Sequence, residues 1–205
     1  MKRYFITGTG TGIGKSHFSA LFASRLKEEG LSVRYIKPVA TGYPEDDDAA
    51  FVARRAGLAP EDAVTLYTAS EPASPCFVFD PFPFEECVAR MEALCADRDA
   101  VLIESAGGLA VPLGVRRYNY HFALALGCDV ILVVPNRLGC LSDAVVYGHF
   151  AERHRMVLDA IALNDFFAES PRHADRNAAE LGRQFPGKVG YRYAAALDIL
   201  PGQDS

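Results

Sequence analysis

Apolar residues recur along this chain in two alternating ways. Tyr4-Phe5-Ile6, Val33-Arg34-Tyr35-Ile36, Ala100-Val101-Leu102-Ile103, Val130-Ile131-Leu132-Val133-Val134 and Leu158 to Leu163 are short runs with the length and composition of buried strands. Between them, Phe18, Leu21, Phe22 and Leu26 recur at helical spacing, with Gly30 as the stop, and so do Val88, Met91, Leu94 and Cys95. Asp46-Asp47-Asp48 reads as the N-cap and acidic first turn of a helix over Ala49 to Ala56. A further helix is predicted from an N-cap at Ser142 to about Arg155, another over 174–184, and a short strand from Val189 to Tyr193. Residues 57–82 are rich in proline and show no clean period, and Glu71-Pro72-Ala73-Ser74-Pro75 is a loop, because two prolines so close block a regular helix. The tail Pro201 to Ser205 reads as a loose end. Strand, helix and strand within the first 36 residues make a βαβ unit. The alternation therefore predicts an α/β fold, doubly wound, with a mostly parallel sheet and helices on both faces. No repeat, low-complexity tract or linker interrupts it, so residues 1–205 read as a single domain.

Composition narrows the partners. Half of the residues are hydrophobic, 23% are charged and the net charge is −5, which argues against a general binder of nucleic acid or of membrane surfaces. No apolar run approaches a membrane span, and Met1-Lys2-Arg3 leads straight into the first strand without a signal peptide, so a cytoplasmic location is expected. The five cysteines include no CxxC pair and read as buried thiols. The five histidines lack ligand spacing and read as surface or packing residues.

The candidate chemistry begins at Gly8-Thr9-Gly10-Thr11-Gly12-Ile13-Gly14-Lys15-Ser16, a glycine-rich loop between the first strand and the first helix. This is the context of a phosphate-binding P-loop, although Gly8 stands one residue earlier than in the commonest spacing. Glycines let backbone N–H groups approach phosphate oxygens, and the helix N-terminus adds free donors and a positive dipole end. Lys15 is expected to reach the terminal phosphates and Ser16 to ligate Mg2+ through its hydroxyl. Lys37 and Thr41 follow the second strand, at the carboxyl edge where open parallel sheets collect ligands. Glu104 closes a hydrophobic strand in the manner of a Walker B acid, and Gly107 and Gly108 behind it allow close backbone approach. Asn164 ends a late strand, where an amide can both donate to and accept from a purine edge, or serve as an ordinary polar turn.

In their order these motifs resemble the dethiobiotin synthetase family. They are the extended loop from Gly8 to Ser16, Lys37-Pro38-Val39-Ala40-Thr41-Gly42, Asp48-Ala49, Pro72-Ala73-Ser74-Pro75, Glu104 to Gly108 followed by Val111-Pro112-Leu113, Leu138 to Ser142, and Asn164-Asp165. The resemblance implies a P-loop NTPase-type fold and an ATP-dependent cyclo-ligase that joins CO2 to 7,8-diaminononanoate, with Mg2+ as cofactor, ATP as co-substrate and a homodimeric assembly. It further implies Lys37 and Lys15 as catalytic residues. Gly12, Ile13, Gly14, Lys15, Ser16, His17, Glu104, Gly107 and Asn164 would contact the nucleotide. Thr41, Val111, Pro112, Leu138, Gly139, Cys140, Leu141 and Ser142 would contact the substrate, the last five from the partner subunit, and Ser16, Asp48 and Glu104 would hold the metal. The chain departs from the family pattern at Gly10, where Asp is usual, at Ser16 for Thr, at Ser105 for Gly, and at Ser142-Asp143 for Asn-His. Two other readings compete: a regulatory or partitioning P-loop ATPase without small-molecule ligation, and a nucleotide-binding relative that has lost catalysis.

Overall fold

The short apolar runs pair into one sheet. The computed structural model describes residues 1–199, and the tail from Pro201 lies outside them. The first half of the chain gives β1 (Lys2–Gly8), α1 (Lys15–Glu28), β2 (Val33–Thr41), α2 (Asp48–Ala56), β3 (Ala63–Ala69), α3 (Pro75–Val78), α4 (Phe84–Cys95) and β4 (Ala100–Glu104). The second half gives β5 (Pro112–Gly114), β6 (Arg117–Tyr118), α5 (Tyr120–Ala125), β7 (Asp129–Pro135), α6 (Cys140–Arg153), β8 (Val157–Asn164), α7 (Pro171–Gln184), β9 (Val189–Tyr193) and β10 (Leu197–Ile199). The main sheet has eight strands in the order β10-β9-β8-β7-β1-β4-β2-β3. All its pairings are parallel except the edge pair of β9 with β10. This is the doubly wound α/β architecture that the strand–helix alternation predicts.

Alternate side chains of each strand enter opposite layers, the consequence of a two-residue period. Tyr4, Ile6, Tyr35, Leu102 and Val133 pack with Phe18 and Phe22 of α1 and Val52 of α2. Phe5, Ile36, Val101, Ile103 and Val130 pack on the other face with Cys87 and Met91 of α4 and Phe122 of α5. A third cluster seats Ala144 of α6 and Leu181 of α7 on Leu132, Val134, Ile161 and Leu163. Both faces are covered, which is why the central strands are near-continuous hydrophobic runs.

Several boundaries differ from the sequence pattern. β2 does not stop at Ile36. It continues to Thr41 and is buried through Ala40, so Lys37 lies inside the strand, not beyond it. β3 arises within the proline-rich stretch that showed no period, because an edge strand needs only β2 as a partner. The hairpin of β5 and β6, α5 and β10 also had no signal in the pattern. α6 begins at Cys140 with Gly139 as its left-handed N-cap, not at Ser142, and stops at Arg153. α7 starts at Pro171, where Ser170 accepts a hydrogen bond from the His173 N–H. Four of the cysteines are buried thiols, whereas Cys76 is only half-buried.

Candidate active site

Three strands that neighbour one another, β1, β4 and β2, end at the same edge. Each delivers one part of the site there. β1 runs into the glycine loop, β4 ends on Glu104, and β2 carries Lys37 and Thr41. The loop closes on Gly14, the N-cap of α1, with φ of 94°. A Cβ at that position would lie 2.4 Å from Asn164 Nδ2, so both conformation and space require glycine. Gly14 has no side chain with which to cap α1, which leaves its first N–H groups for an anion.

Lys37 is only 4% exposed, and its ammonium bridges two carboxylates, Glu104 Oε1 at 2.9 Å and Asp48 Oδ2 at 2.6 Å. Ser16 Oγ lies 2.5 Å from Asp48 Oδ1 and 2.9 Å from Glu104 Oε1. A hydroxyl has one proton, so these two acceptors share it. Ser19, one turn further along α1, donates to Glu104 Oε2 at 2.7 Å. Burial works against the charge on Lys37, but Glu104 and Asp48 outweigh it and hold its pKa above the ordinary lysine value. Burial likewise opposes the Asp48 charge, and the hydrogen-bonded Lys37 ammonium and Ser16 hydroxyl outweigh it, leaving the carboxyl below its usual range. Lys15 folds back to donate to the Gly10 carbonyl at 3.1 Å. Burial pushes its pKa down, and the Lys37 charge adds to that against the pull of Glu104.

A cavity of about 1020 Å3 opens over these groups. Of the residues singled out from the sequence, it brings together Gly12, Gly14, Lys15, Ser16, His17, Lys37, Thr41, Asp48, Glu104, Gly107 and Val111. Pro72 to Pro75 form part of its wall, with Glu45, Asp46 and Phe51. Ile13, Pro112 and Asn164 are not in the lining, nor are Leu138 to Ser142. The latter surround the start of α6, where Leu138, Gly139 and Ser142 are exposed and Cys140 is buried. Gly139 to Ser142 are the N-cap and first turn of α6.

Asn164, read from the sequence as a purine-reading amide or a polar turn, is bonded to the chain itself. It is 4% exposed, its Nδ2 donates to the Ile13 carbonyl at 2.9 Å, and its Oδ1 accepts from the Phe166 N–H at 3.1 Å. The Tyr193 hydroxyl donates to the neighbouring Gly14 carbonyl at 3.0 Å. β8 and β9 thereby hold the back of the glycine loop. His17 stacks on Tyr193 with ring centroids 6.0 Å apart. Ser105, the departure after Glu104, fits without disturbance: its hydroxyl donates to the Gly107 carbonyl at 2.6 Å and lies 3.0 Å from Thr7 Oγ1. Asn119 secures the same turn by donating to the Ala106 and Gly108 carbonyls at 2.6 and 2.9 Å. Sequence reasoning missed Ser19, Tyr193 and Asn119. Ser19 alone had a local signal, since it lies three residues after Ser16 on the same helix face.

The donor set suits a hard cation: two carboxylates meet at one ammonium and share the Ser16 hydroxyl between them, so a positive charge is already what this point accommodates. No group of three His, Cys, Asp or Glu side chains that could hold a metal occurs among the described residues. Mg2+ fits such a sparse set, because it retains waters and takes further oxygens from phosphates.

Comparison with known proteins places the chain among relatives. A family model described as AAA domain matches residues 2–190. The chain is 32% identical to the ATP-dependent dethiobiotin synthetase BioD of Anaeromyxobacter dehalogenans (strain 2CP-C), over 89% of this chain and 85% of that protein. It is 34% identical to ATP-dependent dethiobiotin synthetase BioD 1 of Escherichia coli (strain K12), over 85% of this chain and 82% of that one. Among solved structures, the signal recognition particle receptor FtsY from Elizabethkingia anophelis superposes with a TM-score of 0.65 at 19% identity. It covers 98% of this chain and 63% of its own, a likeness of fold alone.

Proposed function

The chain belongs to the AAA domain family and to the ATP-dependent dethiobiotin synthetases, and from that membership we propose that it carries out the synthetase reaction with Lys37 at its centre. It is an ATP-dependent ligase of biotin biosynthesis. In our reading one amine of 7,8-diaminononanoate takes up CO2 as a carbamate. A carbamate oxygen attacks the γ-phosphate of ATP and displaces ADP, and the second amine then closes the ring on the activated carbonyl and releases phosphate. Each step brings anions together, so the protein's task is positioning and neutralisation.

The observation that carries this reading is the Lys37 ammonium, buried and shared between Glu104 and Asp48 beside Lys15 and Ser16 in one cavity. Ser16, Asp48 and Glu104 would hold Mg2+, which would neutralise charge on the phosphate oxygens. The Lys37 ammonium turns to the carbamate and offsets its repulsion from the phosphate. Lys15 leaves the Gly10 carbonyl for the terminal phosphates, and the free N–H groups at the start of α1 receive the phosphate oxygens. Thr41 and Val111 border the same cavity and contact the diamine. Asn164 spends one lone pair of its amide oxygen on the Phe166 N–H, so the second is left to accept from the purine. Leu138 to Ser142 stand outside the cavity of their own chain, which supports a homodimer in which each subunit offers the start of α6 to the other's substrate.

Mass spectrometry of the product from 7,8-diaminononanoate, bicarbonate, ATP and Mg2+ tests the proposal. A cyclic urea formed in step with phosphate release is the expected result. Phosphate release indifferent to the diamine would overturn it.

A further inference from the structure

Beneath the carboxylate pair lies a hydroxyl that the reaction scheme does not use. Tyr35 of β2 is 0% exposed and packs among residues of α1, α2 and the sheet. It stands opposite Leu102 of β4, two residues before Lys37 on its own strand, as Leu102 stands two before Glu104. The two-residue period therefore puts Tyr35, Lys37, Leu102 and Glu104 on one face, with the phenol on the core side of the ion pairs. Its oxygen is fully buried and, among the described residues, makes no hydrogen bond of ordinary geometry, with the Glu104 carboxylate as its nearby acceptor. Burial, and after it the charges of Glu104 and Asp48 and a contact with the Glu104 carboxylate, push the phenol well above its ordinary range.

A phenylalanine would fill this place if packing were its only requirement, because an unmatched buried hydroxyl is unfavourable. The donors that Glu104 and Asp48 now have explain why the hydroxyl goes unused. Lys37 serves both carboxylates, Ser16 shares its proton between them, and Ser19 serves the other Glu104 oxygen. In the proposed reaction Lys37 turns to substrate and Ser16 becomes a ligand, so Glu104 loses the donors that fix Oε1. Resting on that reading, we propose that Tyr35 is a positioning residue for metal binding: its hydroxyl donates to the Glu104 carboxylate once Lys37 leaves and keeps that carboxylate oriented toward the cation. Groups that orient ligands in this way typically affect metal affinity by about 10–100-fold.

The substitution Tyr35→Phe removes the donor and keeps the ring. Binding of a non-hydrolysable ATP analogue is measured by calorimetry in EDTA and across a Mg2+ titration, beside a thermal melt without metal. The expected result is an unchanged or higher melting temperature, unchanged binding in EDTA, and a half-saturating Mg2+ concentration raised about tenfold. A Mg2+ requirement within twofold of wild type overturns the proposal and leaves the synthetase reading intact. A lower melting temperature with equal weakening in EDTA and Mg2+ assigns Tyr35 to packing and also overturns it. If binding by the wild type is itself indifferent to Mg2+, the metal assignment to Ser16, Asp48 and Glu104 fails, and this proposal fails with it.

Discussion

Lys37 is the residue on which two carboxylates depend, the buried Glu104 and the half-buried Asp48. Removing one partner of a buried ion pair leaves uncompensated charge, at a typical cost of about 3–5 kcal/mol. Lys37→Ala is therefore expected to lose about 3 kcal/mol of stability at neutral pH without metal, measured by urea denaturation in EDTA, and to regain part of it in Mg2+. Turnover of the diamine should fall by about 10³-fold while the nucleotide still binds. The pH dependence has a definite sign. The folded pKa of Asp48 is depressed, so its contribution is present above the unfolded value of about 3.9 and is lost as pH falls through the lower folded value. In the variant the same carboxyl is partly buried without its cation, so protonation relieves it, and the gap to wild type should narrow as the pH is lowered. The glycine loop offers a paired test. Gly14→Ala adds a Cβ 2.4 Å from Asn164 Nδ2 at a φ of 94°. It should lower stability by about 1–3 kcal/mol and nucleotide affinity by at least about tenfold. Gly10→Asp meets nothing nearer than 3.8 Å at its Cβ and should melt as wild type.

Elements are held by ends and edges as much as by faces. The pairing of β7 with β8 slips between Val130 and Ile131, so Val130 faces Leu158, Ile131 faces Ala160, and Asp159 is left between them. Burial first, and then the nearby Asp129, raise the Asp159 carboxyl above its usual range. A raised folded pKa for an acid means that ionisation at neutral pH works against the fold, and that the penalty disappears as the pH drops below the unfolded value. Asp159→Asn should raise the melting temperature by about a degree or two at pH 7 and by nothing at about pH 3.5, followed by calorimetry at both pH values. At the start of α7, the Ser170 side chain accepts from the first-turn N–H of His173. Ser170→Ala should cost about 1 kcal/mol in urea unfolding.

The whole molecule gathers its chemistry at one edge because β1, β4 and β2 lie side by side although β4 is the last of them in sequence. The start of α6 lies outside that cavity, and Leu138 is 86% exposed with Val146 62% exposed further along α6. In the proposed homodimer this surface meets the other subunit. Light scattering should therefore give twice the chain mass. Leu138→Asp should give the single-chain mass and lose diamine turnover by about tenfold or more while the nucleotide still binds, because a desolvated charge at an interface is unfavourable.

What the sequence by itself determined is what short-range chemistry dictates. The buried strands, the amphipathic helices, the glycine loop ending in Lys15-Ser16, and the acid closing β4 are each written in adjacent residues or in a period of two or 3.6. Lys37, Asp48 and Glu104 were likewise named from their motifs. Their meeting at one ammonium was not legible, since it depends on β4 inserting between β1 and β2. Tertiary structure alone decided that β2 runs on through Lys37 to Thr41, that an edge strand forms in the proline-rich stretch, and that Asn164 and Tyr193 clasp the carbonyls of Ile13 and Gly14. Those contacts join residues about 150 and 180 positions apart, and no local period encodes such a pairing, because it is fixed only when the strand order brings distant backbone groups out of water and obliges them to find partners.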